Sequence, residues 1–249
     1  MRNHGAWEET HEHGPENRRG LRRTVVTTAV CLRLAAVAVA VAATVGAASP
    51  GNIRVDDWDA HPLGPLELGK RWRTYPFFER GVFKQAPAIV EADGRRALRL
   101  ISDGEAVRVG RAIKVDVRRT PWLVWHWKPL VLPERGDVRD RRLNDQAARV
   151  MVIFEGMKAV AYLWDTTAPV GTEVQPDELE MFQRSLVVVR SGPSGIGQWD
   201  SQRRDVAEDF RRAFGEEPGS VTWVGFESHS NDTRTRSAAL FGSASFEGP

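Results

Sequence analysis

The sequence predicts a mainly β protein, an antiparallel, jelly-roll-like β-sandwich with one amphipathic helix over about residues 201–214. After Gly51, apolar residues occur in short runs or alternate with polar ones, and clusters of Gly, Pro, Asp and Ser separate the runs. Only one segment has apolar residues at helical spacing. The chain has 249 residues, of which 41% are hydrophobic, so it can form one sizeable core. We therefore expect a single sandwich domain over residues 48–249.

The first 47 residues have the features of an export signal or a membrane anchor. Four arginines precede an Ala- and Val-rich run from Thr24 to Ala48, which only Arg33 interrupts. Val45-Gly46-Ala47 fits a signal-peptide cleavage site, so we favour cleavage and expect an exported, periplasmic or extracellular protein. A retained N-terminal membrane anchor is the alternative, because the run is long enough to span a bilayer if Arg33 is tolerated.

The N-terminal segment also bears on the export route and on the charge of the mature domain. Arg18-Arg19 partly matches a twin-arginine signal, and the basic region of a general secretion signal explains the pair equally well. Six of the 35 Lys and Arg and four of the 33 Asp and Glu lie in the segment, so the remainder is formally neutral. The only cysteine, Cys31, also lies there, which excludes thiol chemistry from the mature domain. Since no basic stripe with spaced aromatic residues occurs, nucleic acid is not an expected partner.

The strand pattern recurs in eight segments. They are residues 98–100, 107–117, 123–128, 150–154, 160–164, 186–189, 221–224 and 239–241. The segments 150–154 and 160–164 are apolar on both faces, as in central strands, and Glu155-Gly156 starts the turn of a hairpin between them. Gly110-Arg111 interrupts the alternation within 107–117, which predicts a β-bulge at this position.

The single helix is predicted for residues 201–214. Asp200 or Ser201 is the expected N-cap, and Gly215 marks the expected end. The apolar residues fall on one stripe at helical spacing: Val206, Phe210, Ala213 and Phe214.

The stretch TPWLVWHWK, residues 120–128, places three tryptophans within six residues. In a strand, Leu123, Trp125 and Trp127 share one face. Because this face is wholly apolar, we predict that Trp125 and Trp127 lie in the sandwich core.

The other face of the same strand is the candidate ligand-binding face. It carries Trp122, His126 and Lys128, an indole beside hydrogen-bonding groups, which is the combination that a sugar ring requires. Trp164 is included as a fourth candidate ligand-binding residue, since the core is not expected to need every tryptophan. Trp199 and Trp223 are the other two tryptophans expected to be exposed. A solvated face with one tryptophan at its margin is the alternative interpretation.

Five short motifs occur in order between about Leu98 and Phe246. They are Trp125-x-Trp127, Asp145 with Ala147-Ala148-Arg149-Val150, Val188-Val189-Arg190-Ser191-Gly192, Trp199 with Arg204-Asp205-Val206, and Phe214-Gly215-Glu216. In order and spacing the chain resembles the bacterial domain-of-unknown-function family 3047 (DUF3047). The resemblance implies an exported protein with a jelly-roll-like β-sandwich, similar in style to carbohydrate-binding modules. It implies no activity.

Some acid-bearing motifs of that family are incomplete in this chain. The Asp-x-Asp-Asn-Thr type loop before the last strand corresponds to His229-Ser230-Asn231-Asp232-Thr233, and a paired Asp-Asp corresponds to Asn144-Asp145. An Asp that often follows a Gly in the last strand corresponds to Ser243 after Gly242. If the family uses these acids for calcium binding or acid–base chemistry, this chain has lost much of that equipment.

Calcium is the only cofactor for which the sequence offers candidate ligands. Asp137, Asp140 and Asp145 lie in one polar loop and are the predicted metal ligands, although such loops more often contain Asp simply as a turn former. Zinc is not expected, because the histidines after residue 47 are widely separated and no cysteine accompanies them.

No complete catalytic motif is present. The chain lacks a G-x-S-x-G nucleophile elbow, and its pattern singles out no pair of carboxylates for glycoside hydrolysis. The favoured function is therefore an exported, non-catalytic, glycan-binding domain of the cell envelope, with a polysaccharide as partner. A structural or protein-interaction domain with an envelope protein as partner is the alternative, and a carbohydrate-active enzyme is the least favoured.

Overall fold

The computed structural model describes residues 51–74, 83–175 and 182–249, which form two β-sheets packed face to face and one α-helix. The predicted export segment, residues 1–47, lies outside these ranges, so the division at residue 47 stays a prediction. Within the described ranges, no helix has both the length and the apolar character needed to span a membrane.

The first sheet, sheet A, has seven strands. Its strand order is β11-β6-β13-β4-β3-β2, with β1 added on β13, and every pairing is antiparallel. The strands are β1 (Ile53–Arg54), β2 (Gly64–Pro65), β3 (Ala88–Ala92), β4 (Arg95–Asp103), β6 (Trp122–Val131), β11 (Asp200–Asp205) and β13 (Arg236–Glu247).

The second sheet, sheet B, has six strands in the order β5-β12-β7-β8-β10-β9. The predicted hairpin is confirmed, because β7 and β8 are adjacent and antiparallel. The pairing of β8 with β10 is parallel, which departs from the expected all-antiparallel arrangement. The strands are β5 (Ala106–Val115), β7 (Ala148–Phe154), β8 (Lys158–Asp165), β9 (Glu173–Val174), β10 (Gln183–Ser191) and β12 (Val221–His229).

The predicted mainly β sandwich is confirmed by the core between the sheets. Alternate residues of β6 point inward, and Trp125 and Trp127 have no exposed surface. The Trp125 ring stacks on Tyr162 of β8 with centroids 5.1 Å apart, and Trp127 meets Trp164 edge-on at 6.0 Å. The predicted core role of Trp125 and Trp127 is therefore correct, and aromatic packing across the sandwich positions the opposite face of β6 toward the exterior.

The helix α1 spans Val206–Phe214, so its predicted end is correct and its predicted start is wrong. Residues 200–205 form the edge strand β11 instead. Asp205 is the N-cap, since its carboxylate accepts hydrogen bonds from the amides of Ala207 and Glu208. Gly215 ends the helix in a left-handed conformation, with φ of 69°.

The predicted bulge at Gly110-Arg111 is also wrong. Gly110 pairs in register with Gly225, and the irregularity in this ladder lies between Val221 and Trp223. Glycine is required at position 110 for a different reason, because a Cβ there would clash with Nε1 of Trp223 and lie 2.6 Å from the Val224 carbonyl oxygen.

Candidate functional site

The outer face of sheet A contains the candidate site. On β6, Trp122, Val124, His126 and Lys128 point outward and are half-buried, so the predicted alternation of this strand is confirmed. Their role in ligand binding stays a prediction. The neighbouring strands add residues in register. On β11, Ser201 lies opposite His126 and Arg203 opposite Val124; on β13, Ser245 lies opposite Val124 and Glu247 opposite Trp122.

A groove of about 470 Å³ follows this face between β6, β13 and β1. Its volume lies within the range typical of small-molecule sites. Most of its lining side chains are polar and several are short, so a ligand can approach the sheet closely and meet both donors and acceptors. The lining residues are Asn52, Arg54, Asp56, Val124, His126, Ser243, Ala244, Ser245 and Glu247.

His126 lies at the centre of the face, and hydrogen bonds hold its ring. Its Nε2 is 3.3 Å from the Ser201 hydroxyl, and its Nδ1 is 3.1 Å from the Ser243 hydroxyl and 3.3 Å from the Ser243 carbonyl oxygen. The imidazole and the two hydroxyls thus form a short polar row across β11, β6 and β13. Sequence reasoning identified His126 and missed Ser201 and Ser243. Only the pairing of β11 and β13 with β6 places these two serines beside His126, and the sequence does not show this pairing.

Trp122 is present on the face, but its ring is not bare. The guanidinium of Arg203 lies over the indole, 3.7 Å from the ring centroid. Arg203 is itself exposed. The residue pair therefore offers a guanidinium fixed on an aromatic base, a surface that can donate hydrogen bonds and still pack against an apolar ring face.

Trp199 is the second half-exposed tryptophan of this face. Its ring lies over Gly242, where an added Cβ would be 3.1 Å from Cζ3 of Trp199 and 3.3 Å from the Cβ of His126. The Trp199 Nε1 donates to the Asp93 carboxylate at 2.8 Å, and the predicted residue Lys128 donates to the same oxygen at 2.8 Å. These two bonds lower the pKa of Asp93, the Lys128 bond most. Lys128 therefore forms an ion pair with Asp93 on this face and is not among the residues that line the groove.

The prediction that Trp164 binds a ligand is wrong, because its side chain cannot reach a ligand on this face. It points inward from β8, has no exposed surface, packs against Trp127 and donates a hydrogen bond to the Gly192 carbonyl at 3.0 Å. Trp223 is also buried, with only 4% of its surface exposed. The β8 strand is apolar on both faces, so its sequence does not show on which side Trp164 packs. Trp223 packs on the outer side of sheet B with Met151 and Ile153.

The predicted calcium ligands are not brought together. Asp137 and Asp140 each form an ion pair with the arginine two positions later, Arg139 and Arg142, and these hydrogen bonds hold the pKa of both carboxyls below the ordinary range. The Asp145 side chain is buried, and its carboxylate accepts from the Thr233 amide at 2.6 Å. In the described part of the chain, no three His, Cys, Asp or Glu residues are arranged to hold a metal ion.

The family is shown by a sequence comparison. A family model for proteins of unknown function, DUF3047, matches residues 70–244. The chain belongs to the DUF3047 family. Among curated proteins no relative was found.

Solved structures similar to this DUF3047 protein are distant from it in sequence. The xyloglucanase domain of NopAA from Sinorhizobium fredii is 10% identical, with a TM-score of 0.44, and the match covers 76% of this chain and 99% of that one. A family 11 carbohydrate-binding module from Clostridium thermocellum is 12% identical, with a TM-score of 0.43 and coverage of 80% and 95%.

The motifs that identify the DUF3047 family lie mainly away from the groove. Trp125 and Trp127 are in the core, and Arg149 is 2% exposed on the outer face of sheet B. There Arg149 belongs to a buried ionic cluster with Glu227, in which Oε2 of Glu227 lies 3.5 Å from Arg149, 3.6 Å from Arg108 and 3.0 Å from His229. Sequence reasoning missed this cluster, because its members come from three strands.

The charges of this cluster shift two pKa values. Burial disfavours the charged form of Glu227, but His229, Arg149 and Arg108 outweigh it and lower the pKa of the carboxyl to about 2. Burial, together with the charges of Arg108 and Arg149, lowers the pKa of His229 to about 3. At neutral pH the DUF3047 protein therefore contains a charged Glu227 and a neutral His229.

Proposed function

We propose that this protein is an exported, non-catalytic glycan-binding domain whose ligand lies on the outer face of sheet A. The observation that carries the proposal is the polar groove of about 470 Å³ with half-exposed indoles, Trp122 and Trp199, on the same face.

The chemistry of the groove matches that of a sugar. Serine hydroxyls and the His126 ring supply donors and acceptors for sugar hydroxyls, and Arg54 and Glu247 add charged partners at the edge. Each indole carries a guanidinium, with Arg203 3.7 Å from the centroid of the Trp122 ring and Arg95 5.1 Å from that of Trp199. The C–H faces of a sugar would therefore pack against indole–guanidinium pairs. Polar groups that set orientation beside apolar surfaces that supply affinity are the usual composition of a small-ligand site.

Binding is favoured over hydrolysis because, among the described residues that line the groove, only one carboxylate is not already held by an arginine and a backbone amide of the protein. Glycoside hydrolysis needs two carboxyl groups on opposite sides of the scissile bond. Of the two acids that line the groove, Asp56 is buried and its carboxylate accepts from Arg54 and from the Ala244 amide at 2.7 Å. Glu247 is the remaining one.

Affinity electrophoresis against a panel of soluble polysaccharides tests the proposal. We expect at least one polymer to retard the protein, and Trp199→Ala and His126→Ala to reduce the retardation. The matched control is Lys114→Ala, an exposed residue of β5 in the other sheet, which should be retarded like the wild type. Folded protein that no polymer retards, or an equal loss in the control, would contradict a binding face at this position.

Export is the second part of the proposal and is supported by the N-terminal sequence pattern. We expect the mature protein to begin near Ala48 and to be recovered soluble outside the cytoplasm. N-terminal sequencing of the exported form measures this, and a sequence that still contains Arg33 would indicate the membrane anchor instead. Replacing Arg18 and Arg19 together by Lys should block transport only if the twin-arginine route is used.

The alternative, an envelope protein-interaction domain, requires an apolar surface patch. In the described residues, the exposed large hydrophobic side chains are Leu63, Val131 and Val170, which come from three separate segments. The groove is therefore the better-supported binding surface.

A further inference from the structure

The two half-exposed indoles are separated along one strand. Trp122 is the first residue of β6, whereas the Trp199 ring lies beside His126 and shares the Asp93 carboxylate with Lys128. His126 and Lys128 are four and six positions along β6 from Trp122. At about 3.3 Å per residue, the two rings are therefore roughly 13 to 20 Å apart.

The strip of sheet between the rings carries mostly small side chains. Its outward residues are Val124 on β6 and small serines on the neighbouring strands, and the His126 ring is held down by Ser201 and Ser243. Arg203, the long side chain opposite Val124, is folded over Trp122 and so lies at one end of the strip. A ligand can therefore lie along β6 from one indole to the other.

Both indoles are held in place before any ligand binds. Asp93 accepts a hydrogen bond from the Trp199 Nε1, and the Trp199 ring rests on Gly242, where an added Cβ would lie only 3.1 Å from Cζ3 of the ring. The Arg203 guanidinium lies over Trp122, and the Arg95 guanidinium lies 5.1 Å from the centroid of the Trp199 ring. Fixed contact surfaces lower the entropy cost of binding, so both ends of the strip are suited to hold parts of one ligand.

We infer that the face binds an extended, linear, β-1,4-linked glycan that runs along β6 and contacts both Trp122 and Trp199 over about the length of a tetrasaccharide. This inference rests on the proposed function. A single sugar reaches only one indole. A β-1,4-linked chain forms a flat, extended ribbon that follows a straight strand, whereas an α-1,4-linked chain coils away from it.

Titration calorimetry with oligosaccharide ladders tests the inference. The probes are β-1,4-linked dimers to hexamers of glucose, xylose, mannose and N-acetylglucosamine, with the maltose series as the α-1,4-linked control. For at least one β-linked ladder, we expect affinity to rise about tenfold or more from dimer to tetramer, the gain from a second aromatic contact, and then to level off. The maltose series should bind at least about tenfold more weakly.

The two tryptophan variants give an independent signature. Trp122→Ala and Trp199→Ala should each lower the affinity for the tetramer to about that for the dimer, whereas the dimer should respond to at most one of them. Lys114→Ala should change neither, and circular dichroism should show that all variants are folded.

The failures of the two proposals are distinguishable. Equal affinity for dimer and tetramer, a preferred maltose series, or a tetramer insensitive to either variant would overturn the extended-chain inference and leave glycan binding standing. If no oligosaccharide binds and no polysaccharide retards the folded protein, the proposed function itself is overturned.

Discussion

At the scale of single residues, the tryptophans of β6 have two different environments, the core and the outer face of the sheet. Trp125 and Trp127 are adjacent inward positions of β6 with no exposed surface, and their rings contact each other at 5.4 Å with an angle of 89°. Trp122 is half-buried on the opposite face of the same strand and contacts a guanidinium. Residues only three to five positions apart therefore have different physical roles.

We predict that Trp125→Ala and Trp127→Ala each lower the free energy of unfolding by about 3 to 5 kcal/mol, since each leaves a cavity between the sheets. Trp122→Ala should cost no more than about 1 kcal/mol, the value of its cation–π contact. Urea denaturation of the three single variants measures the difference. A larger loss for Trp122 than for the other two would show that β6 presents its opposite face to the core.

At the scale of elements, the junction between β11 and α1 decides where the helix begins. The inward residues of β11 are polar, and other side chains pair with them. Asp200 accepts from the Trp127 Nε1 at 2.9 Å, and Arg204 forms an ion pair with Asp209 of α1. These contacts let a polar segment pair as an edge strand. The chain turns into the helix only at Asp205, which caps it.

We predict that Asp205→Ala lowers the free energy of unfolding by about 1 kcal/mol, because two amides of the first turn lose their acceptor. Ser201→Ala is the control, since Ser201 is exposed in β11, and its effect should stay within about 0.5 kcal/mol. Chemical denaturation monitored by circular dichroism measures both. If Ser201 were the costlier position, the helix would start at the earlier cap.

At the scale of the whole molecule, the buried ionic cluster links stability to pH. His229 has a folded pKa of about 3, below its ordinary value of 6.5, so the unfolded chain binds the proton first as the pH falls below 6.5. Glu227 has a folded pKa of about 2, below its ordinary value of 4.5. Protonation of either group therefore favours the unfolded chain. Acid lowers the stability of the fold through His229 between about pH 6.5 and 3, and through Glu227 between about pH 4.5 and 2.

We predict that the free energy of unfolding of the wild type declines as the pH falls from 6.5 to 4.5, where His229 takes up a proton in the unfolded chain and stays neutral in the fold. His229→Gln removes the titrating group, so the free energy of unfolding of the variant should change less across this interval. Urea denaturation at a series of pH values provides the measurement. An unchanged slope in the variant would assign the acid sensitivity to other groups.

The sequence alone determined the sandwich, the hairpin of β7 and β8, the end of α1 and the alternation of β6. Each of these depends on a local pattern, either a period of two residues in a strand or a glycine after a helix. Such patterns can be recognised in a single sequence. The same patterns predicted Trp125 and Trp127 as core residues and Trp122 and His126 as outward ones.

Only the tertiary structure decided which side chains share the outer face of sheet A. Trp164 points inward from β8 and is fully buried. Because β8 is apolar on both faces, its sequence has no alternation that would show which side faces the core. Arg203 covers Trp122, and Trp199 lies over Gly242, through pairings between strands far apart in the chain. The β11 strand has polar residues on its inward side, so its pairing with β6 depends on partners such as Trp127 and Asp209. Such contacts depend on the order of the strands in the sheet, and strand order is set by long-range packing that no local period encodes.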